Sequence, residues 1–218
     1  MQMKVIKVSA NNPQPEAIRL AADAIRRGEL VVFPTETVYG LAADALNDFA
    51  VRRVFEVKGR YHSLPLPVQV ASVADLPKVA SEIPEAAAKL AEAFWPGPLT
   101  LVLPKNESVS ALIGAGSNTV GVRIPDHPVA LALLREVGTP IVATSANVSG
   151  EEPAVQAACA VRRLGNAVAI VLDAGECKLG KASTVVDVSV YPPRIVRHGA
   201  ISVAEILKVV EQVEDIHE

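Results

Sequence analysis

The chain has 218 residues, 50% of them hydrophobic and 21% charged, with 21 Lys and Arg against 24 Asp and Glu for a formal charge of -3. An apolar half with both charge signs interspersed excludes a disordered chain. The near balance of charge excludes the broad basic surface of a nucleic-acid coat or a polybasic membrane anchor, so any bound anion must be held by a local cluster. In chain order, a strand is expected over Lys4–Val8, followed by a helix from Pro15, whose Ile18, Ala21, Ala22 and Ile25 keep one face and which stops at Gly28. A short buried strand, Leu30–Phe33, ends at Pro34. The next helix, Phe49–Lys58, carries Val51, Val54 and Phe55 on one side and closes at Gly59. Pro67–Ala71 reads as extended, Pro84–Phe94 as a helix stopped by Trp95-Pro96-Gly97-Pro98, and Leu99–Leu103 as a strand. Then come a strand over Thr119–Ile124, a helix capped by Asp126 with Pro128 in its first turn, a break at Gly138-Thr139-Pro140 and a strand over Ile141–Thr144. A helix over Val155–Arg163, strands over Ala167–Leu172, Thr184–Val188 and Arg194–Arg197, and a C-terminal helix over 201–213 complete the prediction.

Strands alternating with helices indicate an α/β fold. The closely spaced strands near Val168, Val186 and Val196 cannot all be joined by helical crossovers, so the sheet is expected to be mixed. No shift of composition marks a boundary, and residues 1–218 are expected to form a single domain with its ligand site in the polar loops at strand ends. Two cysteines (Cys159, Cys177) and four scattered histidines (His62, His127, His198, His217) match no disulfide framework or metal-ligand spacing. No apolar run approaches the roughly 20 residues of a membrane span, and the first twelve residues have no apolar signal core. The expectation is a soluble, unprocessed, cytoplasmic protein without a resident metal.

Of the familiar nucleotide motifs, Gly175–Lys181 has the G-x-x-x-x-G-K spacing, but Ala182 stands where a magnesium-binding hydroxyl is required. A β-branched run follows instead of a helix. Gly114-Ala-Gly116-Ser-Asn-Thr119 lacks a third glycine, and neither a G-x-S-x-G elbow nor an H-E-x-x-H pair occurs. Less generic is Phe33-Pro-Thr-Glu-Thr-Val-Tyr-Gly40, which sets two threonines, a glutamate and a tyrosine directly after a buried strand, either to line a pocket or to satisfy a local turn. Gly59 would let Lys58 and Arg60 turn toward one site, although a lysine at a helix C-terminus is also explained by the macrodipole. Ser145 and Asn147, two apart on an extended segment, would present a hydroxyl and a carboxamide on one face, or else a simple turn. Arg123 inside an apolar strand demands an anionic partner, a ligand or a salt bridge. With Ser183, Thr184 and Arg197 these residues supply at least four cations or strong donors without matching acids, which indicates a phosphate or carboxylate ligand.

FPTETVYGL, FEVKGR followed by PLPV, TVGVRIPDHP, ATSANVSG, STVVD and RHG stand in the order and approximate spacing of the YrdC-like family of threonylcarbamoyl-AMP synthases, which the chain resembles from about Leu30 to Gly199. The resemblance implies an open, twisted α/β sheet with a concave, positively charged cavity. It also implies an enzyme, a nucleotidyltransferase that converts L-threonine, bicarbonate and ATP to threonylcarbamoyl-adenylate and pyrophosphate for threonylcarbamoyladenosine in tRNA. Matched position by position, Lys58, Arg60, Ser145 and Asn147 carry the family's catalytic Lys-x-Arg and Ser-x-Asn pairs and face ATP, as do Thr119 and Arg197. Thr35, Arg123 and Ser183 fall on positions that hold L-threonine. Magnesium is expected to arrive with ATP, held mainly by phosphate oxygens and water. A tRNA threonylcarbamoyl transferase complex is the expected downstream partner, with tRNA contact weak or left to it.

Three positions depart from the family pattern: Tyr61 where proline is common, Leu64 where asparagine is common, and Gln69 where histidine is frequent. Two other functions compete with this expectation. A carbamoyl-adenylate module of the hydrogenase-maturation type would carry further zinc-binding and acylphosphatase-like regions. A non-catalytic RNA-binding module would be expected to lack the two residue pairs, and the few aromatics (4%) offer no stacking platform.

Overall fold

The computed structural model describes residues 3–216, so His217 lies outside them. In chain order the elements are β1 (Lys4–Lys7), α1 (Pro15–Arg26), β2 (Val31–Phe33), β3 (Gly40–Asp44), α2 (Asp48–Lys58), β4 (Val68–Gln69), α3 (Glu85–Phe94), β5 (Leu99–Pro104), β6 (Thr119–Arg123), α4 (Pro128–Val137), β7 (Ile141–Ser145), α5 (Ala157–Leu164), β8 (Ile170–Asp173), β9 (Thr184–Asp187), β10 (Arg194–Arg197), α6 (Val203–Ile206) and β11 (Glu214–Asp215). The strands form one sheet in the order β1-β8-β2-β3-β7-β4-β6-β5-β9-β10-β11. It is mixed, as expected: β1, β8 and β2 run parallel, β3 is antiparallel to both β2 and β7, and β9 and β10 form an antiparallel pair.

Side-chain alternation along these strands builds a core on each face of the sheet. Val31 and Phe33 of β2, Ile141 and Ala143 of β7, and Ile170 and Leu172 of β8 pack with Ile18, Ala21, Ala22 and Ile25 of α1 and with Val129, Leu133 and Leu134 of α4. The intervening Val32, Val142 and Val171 face the other way, onto Val51, Val54 and Phe55 of α2, Leu90 of α3 and Ala160 of α5. Helix α2 starts where Asn47 Oδ1 accepts from the Ala50 amide at 3.2 Å, and ends at Gly59 in the left-handed region (φ 57°).

Four expectations are corrected. Strand β3 was not foreseen, because Gly-Leu-Ala-Ala-Asp carries no β-branched residue; it is a strand only because β2 and β7 pair with it on both sides. The cap of α4 is His127, whose Nδ1 accepts from the Val129 amide at 3.2 Å, rather than Asp126; Pro128 occupies the first helical position and so makes its predecessor the cap. The strand expected from Ala167 starts at Ile170, after a 3-10 turn over Gly165–Ala167. The C-terminal helix covers only Val203–Ile206 of the expected 201–213, with its Ser202–Glu205 capping box intact. The chain then leaves the helix and pairs β11 beside β10, where Glu214 also accepts from Arg194 Nε at 2.7 Å.

Candidate active site

The middle of the sheet, from β3 to β10, is the floor of a cavity of about 540 Å³, walled by the Thr35–Gly40 turn and the Arg60–Pro67 loop. Of the nine site residues expected from sequence, seven line it: Thr35, Arg60, Thr119, Arg123, Ser145, Ser183 and Arg197. Lys58 and Asn147 do not.

The Lys-Gly-Arg turn separates its two cations instead of aiming both at one place. Past Gly59 the Arg60 side chain reaches the cavity, where Nη2 donates to the Pro65 carbonyl at 3.0 Å and Nε to that of Leu64 at 3.4 Å. Lys58 is only 2% exposed, and Nζ donates to the carbonyls of Ser145 (2.5 Å) and Asn147 (2.7 Å). It ties the end of α2 to the end of β7, a link strengthened by the Ser149 amide, which donates to the Lys58 carbonyl at 2.8 Å. Burial, and then the positive field of Arg60, pull the Lys58 ammonium down to about 8.

Ser145 and Asn147 also diverge. The Asn147 amide donates to the Ser145 carbonyl at 2.9 Å, a three-residue turn that ends the extended backbone on which a shared face depended. Ser145 remains at the cavity, whereas the buried Asn147 carboxamide donates to the carbonyls of Val148 (2.9 Å) and Glu151 (2.8 Å) and shapes the loop behind.

Arg123 closes the β6 side. Nε donates to the Gly97 carbonyl at 3.0 Å, and Nη2 donates to Glu36 Oε1 at 2.6 Å and to Thr37 Oγ1 at 3.0 Å. The salt bridge offered as one explanation of this arginine is therefore present, with side-chain exposures of 8% and 7%. Arg197, which also lines the cavity, is held by Ser183: Nη2 donates to its carbonyl (2.8 Å) and hydroxyl (3.0 Å), and that hydroxyl also meets Thr100 Oγ1 at 2.9 Å. The Arg197 guanidinium lies below the ordinary arginine value, first through desolvation and then through the positive fields of Arg123 and Arg60. The arginines thus sense one another across the cavity, and a bound anion would relieve that repulsion.

The turn bearing Thr35 satisfies itself, since Thr35 Oγ1 donates to the Val38 carbonyl (2.6 Å) and lies 2.8 Å from Thr37 Oγ1. Its outer side is braced by the segment that mimics a phosphate loop: the Leu179 and Gly180 amides donate to the carbonyls of Glu36 (2.9 Å) and Thr37 (3.0 Å). That segment runs into β9, not into a helix, as expected. Of the departures from the family pattern, Tyr61 is exposed, Leu64 lines the cavity, and Gln69 lines it with a buried Oε1 that has no partner among the described residues. Thr100 was missed by sequence reading; its signal was a lone hydroxyl at a buried position of the apolar run Leu99–Leu103.

The last glycine of the Arg-His-Gly segment sets the distance between β10 and β9. A Cβ on Gly199 would lie 2.2 Å from the Thr184 amide nitrogen and 2.5 Å from the Ser183 carbonyl oxygen, both backbone atoms that cannot swing away. Gly199→Ala is expected to cost about 1–3 kcal/mol, read as a Tm lowered by roughly 2–12 °C in thermal unfolding. The shift falls on Ser183, which holds Arg197; an unchanged Tm would contradict this close approach.

A family model described as "Telomere recombination", which groups Sua5, YciO and YrdC proteins, matches residues 23–199. The threonylcarbamoyl-AMP synthase of Pyrococcus abyssi is 47% identical over 196 residues, covering 90% of this chain and 58% of that protein. The Bacillus subtilis protein of the same name is 42% identical over 205 residues, covering 94% and 58%. The crystal structure of P. abyssi Sua5 complexed with L-threonine superimposes with a TM-score of 0.95 at 44% identity, over 98% of this chain and 62% of that one. The chain thus spans a little under two thirds of the length of these relatives.

Proposed function

The chain belongs to the Sua5–YciO–YrdC family, and on that premise we propose that it is an L-threonylcarbamoyladenylate synthase, a nucleotidyltransferase that converts L-threonine, bicarbonate and ATP to threonylcarbamoyl-AMP and pyrophosphate. The observation that supports this reading most is the gathering of Arg60, Arg123 and Arg197 around one cavity with the hydroxyls of Ser145, Ser183 and Thr119. Such a site suits a ligand pair with one carboxylate and several phosphates.

In this reading the neutral amine of threonine attacks carbon dioxide derived from bicarbonate, forming an N–C bond and losing a proton. A carbamate oxygen then attacks the α-phosphorus of ATP, and the bond to the β-phosphate oxygen breaks to release pyrophosphate. Negative charge gathers in both steps, so the protein acts through positioning and electrostatic stabilisation, with no covalent nucleophile. Thr35, Arg123 and Ser183 hold the amino acid. Arg60, Arg197 and Thr119 meet the nucleotide, and Lys58 and Asn147 fix the loop that presents Ser145. Magnesium enters as the complex with ATP. The product passes to a complex that transfers the threonylcarbamoyl group to tRNA, and the reaction belongs in the cytoplasm, where the two free thiols stay reduced.

The test is pyrophosphate release from ATP with and without L-threonine and bicarbonate. Dependence on both is expected, and release independent of either would overturn the assignment. An anion beside Arg60 favours the charged form of Lys58, whose ammonium already titrates at about 8, so the complex holds more protons than the free protein just above that value. Affinity for a non-hydrolysable ATP analogue should therefore fall as pH rises through 8, by roughly tenfold per unit at most. Calorimetry in two buffers of different ionisation enthalpy should register proton uptake, absent in Lys58→Met.

A further inference from the structure

An arginine that must meet a small carboxylate has to present a fixed edge of its guanidinium, because the group is planar and its donors form a rigid fork. Arg123 is 6% exposed and is anchored along one edge, through Nε to the Gly97 carbonyl and through Nη2 to Glu36 and Thr37; none of these bonds uses Nη1. These three anchors set the direction of the remaining donors. The shortest of them is the 2.6 Å bond to Glu36.

We infer that Glu36 is a positioning residue: its carboxylate holds the Arg123 guanidinium in the one orientation that offers its free donors to an amino-acid carboxylate in the cavity. Glu36 is itself 6% exposed and is not among the residues that line the cavity, so it acts from behind the arginine. Its second oxygen, Oε2, is buried with no partner among the described residues. A buried ion pair with an orphaned oxygen is a poor device for stability, since desolvation of two charges offsets most of their attraction and the unmatched oxygen adds a further cost. The arrangement is intelligible as orientation. The backbone around Glu36 is correspondingly fixed, with its carbonyl accepting from the Leu179 amide at 2.9 Å and the neighbouring Thr37 carbonyl accepting from Gly180 at 3.0 Å.

This inference rests on the reading that Arg123 meets the carboxylate of L-threonine, and the experiment separates the two. Steady-state pyrophosphate release gives kcat and KM for L-threonine and for ATP in the wild type, Glu36→Gln, Glu36→Asp, Arg123→Ala and the Glu36→Gln/Arg123→Ala double variant, with Tm as the control for folding. Glu36→Gln keeps the volume and an acceptor oxygen, and should raise KM for threonine about tenfold with KM for ATP and kcat within threefold. Glu36→Asp should recover part of the loss. On the Arg123→Ala background the Glu36 change should add less than twofold, because Glu36 acts only through that arginine. If Arg123→Ala weakens threonine while Glu36→Gln leaves it unchanged or tightens it, positioning by Glu36 is wrong and the reading of Arg123 stands. If the two effects multiply, Glu36 acts independently of Arg123 and the inference fails. If Arg123→Ala leaves KM for threonine unchanged, the reading itself fails and takes the inference with it.

Discussion

Alanine in place of Arg60 is expected to lower pyrophosphate release by about 10²-fold or more while leaving stability within about 1 kcal/mol. The side chain lines the cavity, and its own bonds go only to the carbonyls of Leu64 and Pro65 in the adjoining loop. No carboxylate pairs with it among the described residues, so its charge is available to a ligand. That charge is already felt by Lys58 and by Arg197, as the lowered values of both show. Catalysis by fixed charge requires the charge to be in place before the phosphates acquire more of their own, which an arginine held in a loop on a rigid helix end achieves at little cost of reorganisation. Arg60→Lys should fall between the two, because an ammonium keeps the charge and loses the planar fork. The measurement is single-turnover release at saturating substrates, with Tm as control. A loss under threefold in a folded protein would return Arg60 to a brace for the 64–65 loop.

Lys58→Ala is expected to damage both activity and fold, by about 10²-fold in turnover and about 2–4 kcal/mol in stability, or roughly 5–12 °C in Tm. The substitution opens a cavity at a site 2% exposed and removes the ammonium donor shared by the Ser145 and Asn147 carbonyls, at the point where β7 turns toward the loop shaped by Asn147. Lys58→Met separates the two consequences. It restores most of the packing but not the two bonds, so Tm should recover in part while turnover should not. The contrast with Arg60 is the informative outcome, since two cations two residues apart would then be distinguished by the fold: one open to the ligand, the other aligning the strand end that presents Ser145. Equal tolerance of Lys58→Ala and Arg60→Ala in thermal unfolding would contradict the clamp.

Much of the secondary structure was legible because its causes are local. Helix α1 follows from Pro15, a four-residue apolar stripe and Gly28, and α2 from Val51, Val54, Phe55 and Gly59; each signal lies within a few residues of the element it specifies. Strand β3 was illegible because nothing in Gly40–Asp44 prefers an extended chain, and its partners in β7 lie about a hundred residues away. The C-terminal helix was overextended for the same reason: Ile201–Val213 is locally helical in composition, and its shortening is decided by the pairing of Glu214–Asp215 with β10.

The sequence by itself determined that this is a mixed α/β chain, and it named seven of the 25 residues that line the cavity, its three arginines among them. Motif spacing sufficed for that, because composition and order along the chain carry which groups are present. Only the tertiary structure decided what each group faces. It separated Lys58 from Arg60 and Ser145 from Asn147, and it supplied Glu36 as the acid that Arg123 required. The physical reason is that a buried charge must find its partner wherever the fold brings one, and the partners of Lys58 and Arg123 are 87 and 89 residues away along the chain.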